Sequence, residues 1–506
     1  MAGNGLSIWI LGLQVFAVGV LTLLVMGVLA IIWMYVHDVR QKRHAILRNF
    51  PVIGRFRYFF EHLGHFFRQY FFAMDREEMP FNRAQRSWVY RAAKNIDSTV
   101  AFGSTANLTA PGAVLFVPEV FPTLEEDAVL AGPLLIGPHC ANPYLARSFF
   151  NVSALSYGAI SKVATLALSG GAARAGCWLN TGEGGLSPYH LDGGCDLVFQ
   201  IGTAKYGVRD AQGRLSDERL RELAAHPQIK MFELKLSQGA KPGKGGILPG
   251  LKVTEEVAHI RGIPVGHDSI SPNGHPEVRN VAQLLDMIAH IRAVTGKPVG
   301  FKLVIGGTGF FDELCLEVLR RGPEGAAPDF ITLDSGDGGS GAAPQGLMDH
   351  AGLGIRESLP AVVDTLREYG LRERIRVIAA GKLILPVDVA WALCVGADFV
   401  VSARGFMFAL GCIQAMQCNR NTCPTGVTTH NPDLQRGLDP ADKAARVAHY
   451  VANLVREVGV IAHSCGVPSP RDLQRSHARI VTEFGQSEPL DRYYAKAAAQ
   501  NPVFPR

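Results

Sequence analysis

Three cysteines carry the most explicit chemical signal in the chain. Cys412, Cys418 and Cys423 stand in C-x5-C-x4-C spacing within GCIQAMQCNRNTCPTG (411–426). Three thiolates on one short loop can hold an iron–sulfur cluster, and the missing fourth ligand favours three irons over four. Zinc competes for the same donors but wants a fourth, which His430 can supply. Ordinary free thiols are the third reading, and spacing alone leaves all three open. The other six of the nine cysteines are scattered among apolar residues and read as buried small hydrophobes. An odd count in a chain whose bulk reads as cytoplasmic argues against a disulfide framework.

A second signal is a set of glycine-rich polar loops: SYGAIS (156–161), NTGEGG (180–185), GTAKYG (202–207), SQGAKPGKGG (237–246), SGDGGSG (335–341), AGKL (380–383) and ARGF (403–406). Glycine lets backbone N–H groups approach a phosphate closely, and Arg404 offers a charge beside Gly405 and Gly381. Tight turns explain half of these loops equally well. Their regular recurrence points to a phosphate-bearing cofactor. Lys302, between Phe301 and Leu303 in an apolar run, is expected to point into a site mouth toward an anionic flavin or substrate, since buried lysines need partners.

These loops follow eight short β-branched or aromatic runs: 149–154, 177–180, 197–201, 231–236, 299–304, 330–334, 375–379 and 398–403. Helix-like stretches at 280–294, 357–369 and 386–396 separate several of them. Strand, polar turn and helix repeated eight times predict an α/β fold, a (β/α)8 TIM barrel with insertions, whose site is built from the loops after the strands. An open doubly wound sheet fits the same periodicity. The last two loops follow strands 7 and 8, the usual phosphate position of such barrels.

Ahead of the barrel, residues 6–36 carry no charge, long enough for one tilted transmembrane helix with Trp9, Trp33 and Tyr35 near its ends. A signal peptide would be shorter and would follow a basic start. Here Arg40, Lys42, Arg43 and Arg48 come after the helix, which predicts a single-pass anchor with the catalytic part cytoplasmic. Residues 40–94 hold twelve Lys/Arg and many aromatics. Two readings fit: a helical collar packed on the catalytic domain, or an amphipathic segment lying on anionic lipid. A net charge of +5 over 506 residues is too mild to predict a nucleic-acid binder. With 47% hydrophobic residues the chain is too apolar to be disordered. The expected division is 1–40 anchor, 41–147 membrane-proximal segment and barrel lead-in, 148–435 barrel, and 436–506 a C-terminal helical cap.

From about Ser148 to Asp433 the chain resembles the FMN-binding synthase domain of glutamate synthase. LSYGAIS is similar to the family's MSFGAIS, and NTGEGG matches it unchanged. KLSQGAKPGKGGILPGLKVTEE (235–256) resembles the K-x-x-QGAKPGEGG-x-LPG-x-KVT block, SGDGGSGAAP (335–344) the glycine-rich turn, and GCIQAMQCNRNTCPTGV the cluster loop. The resemblance implies FMN in the barrel and a [3Fe-4S] cluster on Cys412, Cys418 and Cys423. It implies that 2-oxoglutarate and ammonia form 2-iminoglutarate, which is reduced to L-glutamate. It assigns Lys205, Lys235, Gln238 and Lys241 to the dicarboxylate, Glu183 to the imino nitrogen or ammonium, and Lys302 to a catalytic place beside the flavin. Flavin contacts then fall to Ser156, Gly158, Ala159, Thr181, Lys302, Gly338, Gly339, Gly341, Gly381, Lys382, Ala403, Arg404 and Gly405.

Departures from the family pattern bear on the substrate. Lys205 stands where the family usually has arginine, so its contact is a point charge rather than a fork. Gly336 replaces a usual histidine and Lys244 a usual glutamate. The start at Met1-Ala2 offers no cysteine nucleophile of a glutaminase, and no G-x-G-x-x-G follows a strand. The expectation is therefore an enzyme supplied by free ammonium or a separate glutaminase, and by a separate electron donor such as ferredoxin. Two alternatives remain: the same cofactors acting on another 2-oxo acid and amine, or a non-catalytic, membrane-tethered redox or 2-oxoglutarate sensor.

Overall fold

The computed structural model describes residues 3–500 and divides into two compact units, Met1–Ala84 and Gln85–Arg506. The first opens with α1 (Gly3–Arg40), whose side chains from Trp9 to Val36 are almost all exposed and apolar. It is long and apolar enough to cross a membrane. Asp38, near its end, is fully buried. Its carboxylate accepts from Arg55 twice (Nε to Oδ2 2.9 Å, Nη2 to Oδ1 2.6 Å) and from the Val52 N–H at 3.0 Å. This bidentate fork fixes the chain reversal at the foot of α1 and thereby the start of α2 (Gly54–Phe67). Phe56, Phe59, Phe60, Leu63 and Phe67 recur along α2 at spacings of three and four, and the four phenylalanines are exposed.

In the second unit, α3 (Arg83–Ala93), which begins at the junction, buries Val89, Ala92 and Ala93. Residues 85–147, the later part of the expected lead-in, fall in the same compact unit as the barrel. All eight expected strands form, and they close into a parallel barrel. They are β1 (Phe150–Val152), β2 (Leu179–Asn180), β3 (Leu197–Ile201), β4 (Ile229–Lys235), β5 (Val299–Leu303), β6 (Phe330–Asp334), β7 (Arg376–Ala380) and β8 (Phe399–Ser402). Each pairs with the next, and β8 returns to β1 with Val401 opposite Asn151. This closure excludes the open sheet. Helices α4 (Lys162–Ala175), α5 (Asp217–Ala224), α6 (Val281–Thr295), α7 (Gly309–Arg321), α8 (Ile355–Glu368), α9 (Pro386–Val395) and α10 (Arg404–Leu410) follow the strands, with a single turn, Pro188–Leu191, after β2.

The barrel interior is layered by the two-residue alternation of its strands. At the N-terminal end Trp178, Val198, Met231, Phe330, Ile378, Phe399 and Val401 form a dry layer. An antiparallel hairpin, Leu134–Ile136 with Tyr144–Ala146, plugs that end by inserting Ile136, Tyr144 and Ala146. Full burial of each large apolar side chain contributes ~1.5–3 kcal/mol. Two residues further along the strands the layer turns polar. Glu233 lies at its centre, accepting from Asn180 Nδ2 (2.8 Å), Gln200 Nε2 (2.7 Å) and Thr332 Oγ1 (2.6 Å). Three such bonds offset the burial of a carboxylate.

The C-terminal segment expected as a helical cap is only partly one. α11 (Pro440–Ser464) is a long helix, but Ala478–Val481 and Ser487–Pro489 form an antiparallel sheet with Val114–Phe116. The reason is local. Gly485, at φ +70°, reverses the chain between the two strands, and the apolar run behind it pairs with the lead-in. α11 packs closely along α4, where Gly171 leaves room: a Cβ there would overlap Val447 and lie 2.8 Å from the Ala444 carbonyl oxygen. Gly171→Leu is accordingly expected to lower Tm, at the ~1–3 kcal/mol typical of overpacking, measured by calorimetry. An unchanged Tm would contradict this packing.

Candidate active site

The loops beyond the C-terminal strand ends bring Glu183, Lys235, Gln238, Lys241 and Lys302 to one mouth. Lys235 ends β4, so its side chain follows Glu233 on the inward face, and it pairs in register with Lys302 of β5. Lys235 Nζ donates to Glu183 Oε1 at 2.6 Å and to Gln238 Oε1 at 2.5 Å. An ammonium has three donors, so one is left for a ligand. Burial pushes the Glu183 carboxyl upward, but Lys235, Lys241 and Arg261 outweigh that and hold it below the ordinary carboxylate range. Two glycines make room for this carboxylate: a Cβ at Gly246 would lie 2.7 Å from Oε1 and one at Gly202 2.9 Å from Oε2.

Lys241 donates to the Ala342 carbonyl at 3.3 Å. Burial and then the neighbouring Lys235 charge push its ammonium down to about 8, against the pull of Glu183. Lys302 pairs with Asp334 Oδ2 at 3.2 Å. Burial pushes it down, but Asp334 and Glu233 prevail and raise it above the usual lysine value. Asp334 also accepts from the Gly239 N–H at 3.2 Å, tying the β4 and β6 loops together. Lys205 is engaged apart from this group, with Glu277 Oε1 at 2.9 Å.

The expected cofactor residues divide by what surrounds them. Beyond β6 to β8, Arg404 Nη2 donates to the Ser340 carbonyl at 2.9 Å, Lys382 pairs with Asp337 at 2.9 Å, and a Cβ at Gly339 would meet Arg404 Nε at 3.0 Å. Gly338, Gly339, Gly341, Lys382 and Arg404 thus share one rim, with Ala403 at the N-terminus of α10. A Cβ at Gly381 would lie 3.0 Å from the Ser335 N atom, so this glycine serves the approach of β7 to the β6 loop. Gly405 lies against Tyr450 and spends its N–H on Ser402 Oγ at 3.3 Å. The Thr181 hydroxyl is buried and bonded to Gly182 O and the Gln200 N–H. Ser156 abuts Gly182. Gly158 packs on Arg261, Leu248 and Val257, and its carbonyl accepts from His430 Nε2 at 2.8 Å.

The cysteine loop begins where α10 ends. Tyr90 donates to the Cys412 carbonyl at 2.6 Å, and the Cys418 Cβ lies 4.0 Å from where a Cβ on Gly341 would be. Burial pushes the Cys412 thiol up. The Cys423 thiol, although also raised by burial, is drawn below its ordinary value by Thr425 and Thr428. Among the described residues no three His, Cys, Asp or Glu side chains converge on a point that could hold a metal ion. With His430 turned to Gly158, this donor set does not form a tetrahedral zinc site.

Arg261 of the mouth carried no signal in the sequence, whereas His275 in SPNGH (271–275) reads either as a neighbour of the substrate or as an exposed loop histidine. Arg261 ends the helix Glu255–Arg261 within the β4–β5 insertion, where an arginine reads as an ordinary surface dipole partner. In the structure it is buried, donating to Tyr157 O and Ser269 Oγ at 3.2 Å each. His275, which reads equally as a solvent-exposed loop residue, is buried and bonded to Lys235 O at 3.1 Å. Arg261 Nε and His275 Nδ1 are buried without a hydrogen-bond partner. Unpaired polar atoms of this kind mark a place a ligand completes.

The family model described as the conserved region in glutamate synthase matches residues 130–468. A glutamate synthase large subunit-like protein of Bacillus subtilis is 38% identical over 95% of this chain and 98% of its own length. The archaeal glutamate synthase [NADPH] of Methanocaldococcus jannaschii is 32% identical over 65% of this chain, which spans 61% of that protein. The glutamate synthase [NADPH] large chain of Bacillus subtilis is 33% identical, and this chain spans 20% of it. The match begins just before the hairpin that plugs the barrel and ends beyond α11, so it takes in every loop of the site. The chain therefore belongs to the glutamate synthase family of oxidoreductases.

Proposed function

We propose that this protein forms L-glutamate by reducing 2-iminoglutarate, the imine of 2-oxoglutarate and ammonia, with FMN at the barrel mouth and a [3Fe-4S] cluster on Cys412, Cys418 and Cys423. One observation carries the reading: three buried cations, Lys235, Lys241 and Arg261, surround one carboxylate, Glu183, leaving a net positive site for a dianion. FMN supplies hydride chemistry and the cluster one-electron transfer. Lys302, the rim at 338–341, Lys382 and Arg404 are the residues that would hold the flavin. The fit rests on glycines approaching Arg404 and on the unpaired Arg261 and His275 nitrogens. Cys412, Cys418 and Cys423, on one loop after α10, are the residues that would hold the cluster, each on a different iron.

The chain's own residues bind and orient. The spare donor of Lys235, those of Lys241 and the Arg261 guanidinium take the carboxylates of 2-oxoglutarate, and the Gln238 amide lies alongside. Glu183, kept anionic by its cationic neighbours, accepts a hydrogen bond from ammonium or from the iminium N–H and so fixes the carbon that receives hydride. A second reading, another 2-oxo acid and amine pair, is favoured by one contact. Glu277 already occupies Lys205, removing a charge assigned to the dicarboxylate.

The reaction would also need a redox donor and a source of ammonia, for which ferredoxin and free ammonium or a glutaminase are the candidates. We place the catalytic unit on the cytoplasmic side of a membrane crossed once by α1. Seven Lys/Arg against one Glu between residues 40 and 72 support that orientation, as do the exposed phenylalanines of α2 at headgroup level.

Anaerobically reduced protein given 2-oxoglutarate and ammonium should reoxidise with stoichiometric glutamate. Reoxidation only with other acids or amines favours the second reading, and none at all a sensor. Lys235→Met should lower kcat/KM for 2-oxoglutarate by about 10²–10⁴-fold, the ~3–5 kcal/mol of a broken buried pair, with the flavin retained. Lys241 is cationic below about 8 and neutral above it. KM for 2-oxoglutarate should therefore rise between pH 7 and 9, and Lys241→Arg should flatten that rise; a wild-type KM independent of pH contradicts the assignment. Deleting residues 1–40 should release the protein from membranes with glutamate formation intact, assayed after flotation on a density gradient.

A further inference from the structure

Lys252 lies in the turn Gly250–Lys252, within the β4–β5 insertion, and its side chain is 2% exposed. Its ammonium donates to two backbone carbonyls, Ala159 O of the β1 loop at 2.6 Å and Cys418 O of the cysteine loop at 3.2 Å. Three other buried lysines of the barrel mouth have carboxylates to balance them: Lys205 has Glu277, Lys235 has Glu183 and Lys302 has Asp334, whereas Lys241, like Lys252, bonds to a backbone carbonyl. Among the described residues Lys252 makes no ion pair with a carboxylate; the charges that act on it most are Cys418 and Cys423, which favour its ammonium, and Arg261, whose like charge opposes it. Burying an ammonium without an anion costs several kcal/mol, and here that cost falls where two of the three thiols act on it.

Resting on the cluster reading above, we propose that Lys252 is the fixed countercharge of the anionic group bound by Cys412, Cys418 and Cys423. It sits between that group and the β1 loop on the flavin side and sets the group's reduction potential. A cluster gains negative charge when it accepts an electron, so a nearby fixed cation stabilises the reduced form and raises the potential. The residue touches neither substrate nor the reacting carbon; it acts through the cysteine loop, as a positioning and tuning residue. Its two hydrogen bonds also clamp the cysteine loop against the β1 loop. Charge and clamp are separable by substitution. Glutamine keeps two N–H donors without the charge, methionine keeps neither, and arginine keeps both.

The test is a potentiometric titration of the full-length protein, purified without air, with iron counted per chain and the oxidised cluster followed by electron paramagnetic resonance. Lys252→Gln should keep its iron but reach half-reduction at a lower potential. A tenfold fall in the reduced-to-oxidised ratio at the wild-type midpoint corresponds to a shift of about 59 mV for one electron. Lys252→Arg should restore the wild-type midpoint. A Gln variant that holds iron at an unchanged midpoint overturns the countercharge. If Gln and Met both lose iron, Arg decides: iron kept supports a requirement for charge, and iron lost shows a clamp of particular shape and overturns the proposal. Iron-free wild-type protein would instead remove the cluster reading itself, and is recognised before any variant is made.

Discussion

Glu233 is the interaction on which the barrel's chemistry depends. A carboxylate at the centre of a closed parallel sheet is tolerated only with full compensation, and Asn180, Gln200 and Thr332, from three other strands, each supply a bond. The effect reaches in both directions along β4. Below it the interior is apolar and dry. Above it Lys235 occupies the next inward position, and Lys302, in register across β5, is held charged by Asp334 and Glu233 together. Together with Glu183 and Asp334, this buried anion allows lysines to gather at the mouth without mutual repulsion expelling them. Lys241, with a like charge nearby and no carboxylate in contact, shows what happens otherwise, for burial and that charge push its ammonium down to about 8.

The proposed synthesis of glutamate would ask for such a division. A doubly charged acid would have to be fixed while its carbonyl carbon stays open to ammonia and then to hydride. In that reading the buried cations at the mouth serve the first need, and the carboxylate held ionised among them serves the second. Neither demands that the protein perform covalent chemistry of its own, in keeping with a fold whose work is orientation.

The eight strands were legible because each is a short apolar run followed by glycine-rich loops, and periodicity survives in every one. Their closure was not, since β8 pairs with β1 across some 250 residues, and an open sheet has the same local pattern. At the site, Glu183, Lys235, Gln238 and Lys241 were readable because they stand in contiguous motifs. Arg261 escaped because burial, and not residue type, marks it out: it lies in the insertion after β4 and looks like an ordinary polar surface residue until that insertion folds over the mouth, which also decides between the two readings of His275 and buries Lys252 of the KVT stretch. The C-terminal strands were missed for a different reason, since their partner Val114–Phe116 lies more than 350 residues earlier in the chain.

The hairpin of Leu134–Ile136 and Tyr144–Ala146 leaves the barrel a cup rather than a tube. With the apolar layer packed above it, that end offers a ligand no way in. Whatever binds among Glu183, Lys235 and Lys241 therefore has only the side of the C-terminal loops from which to approach.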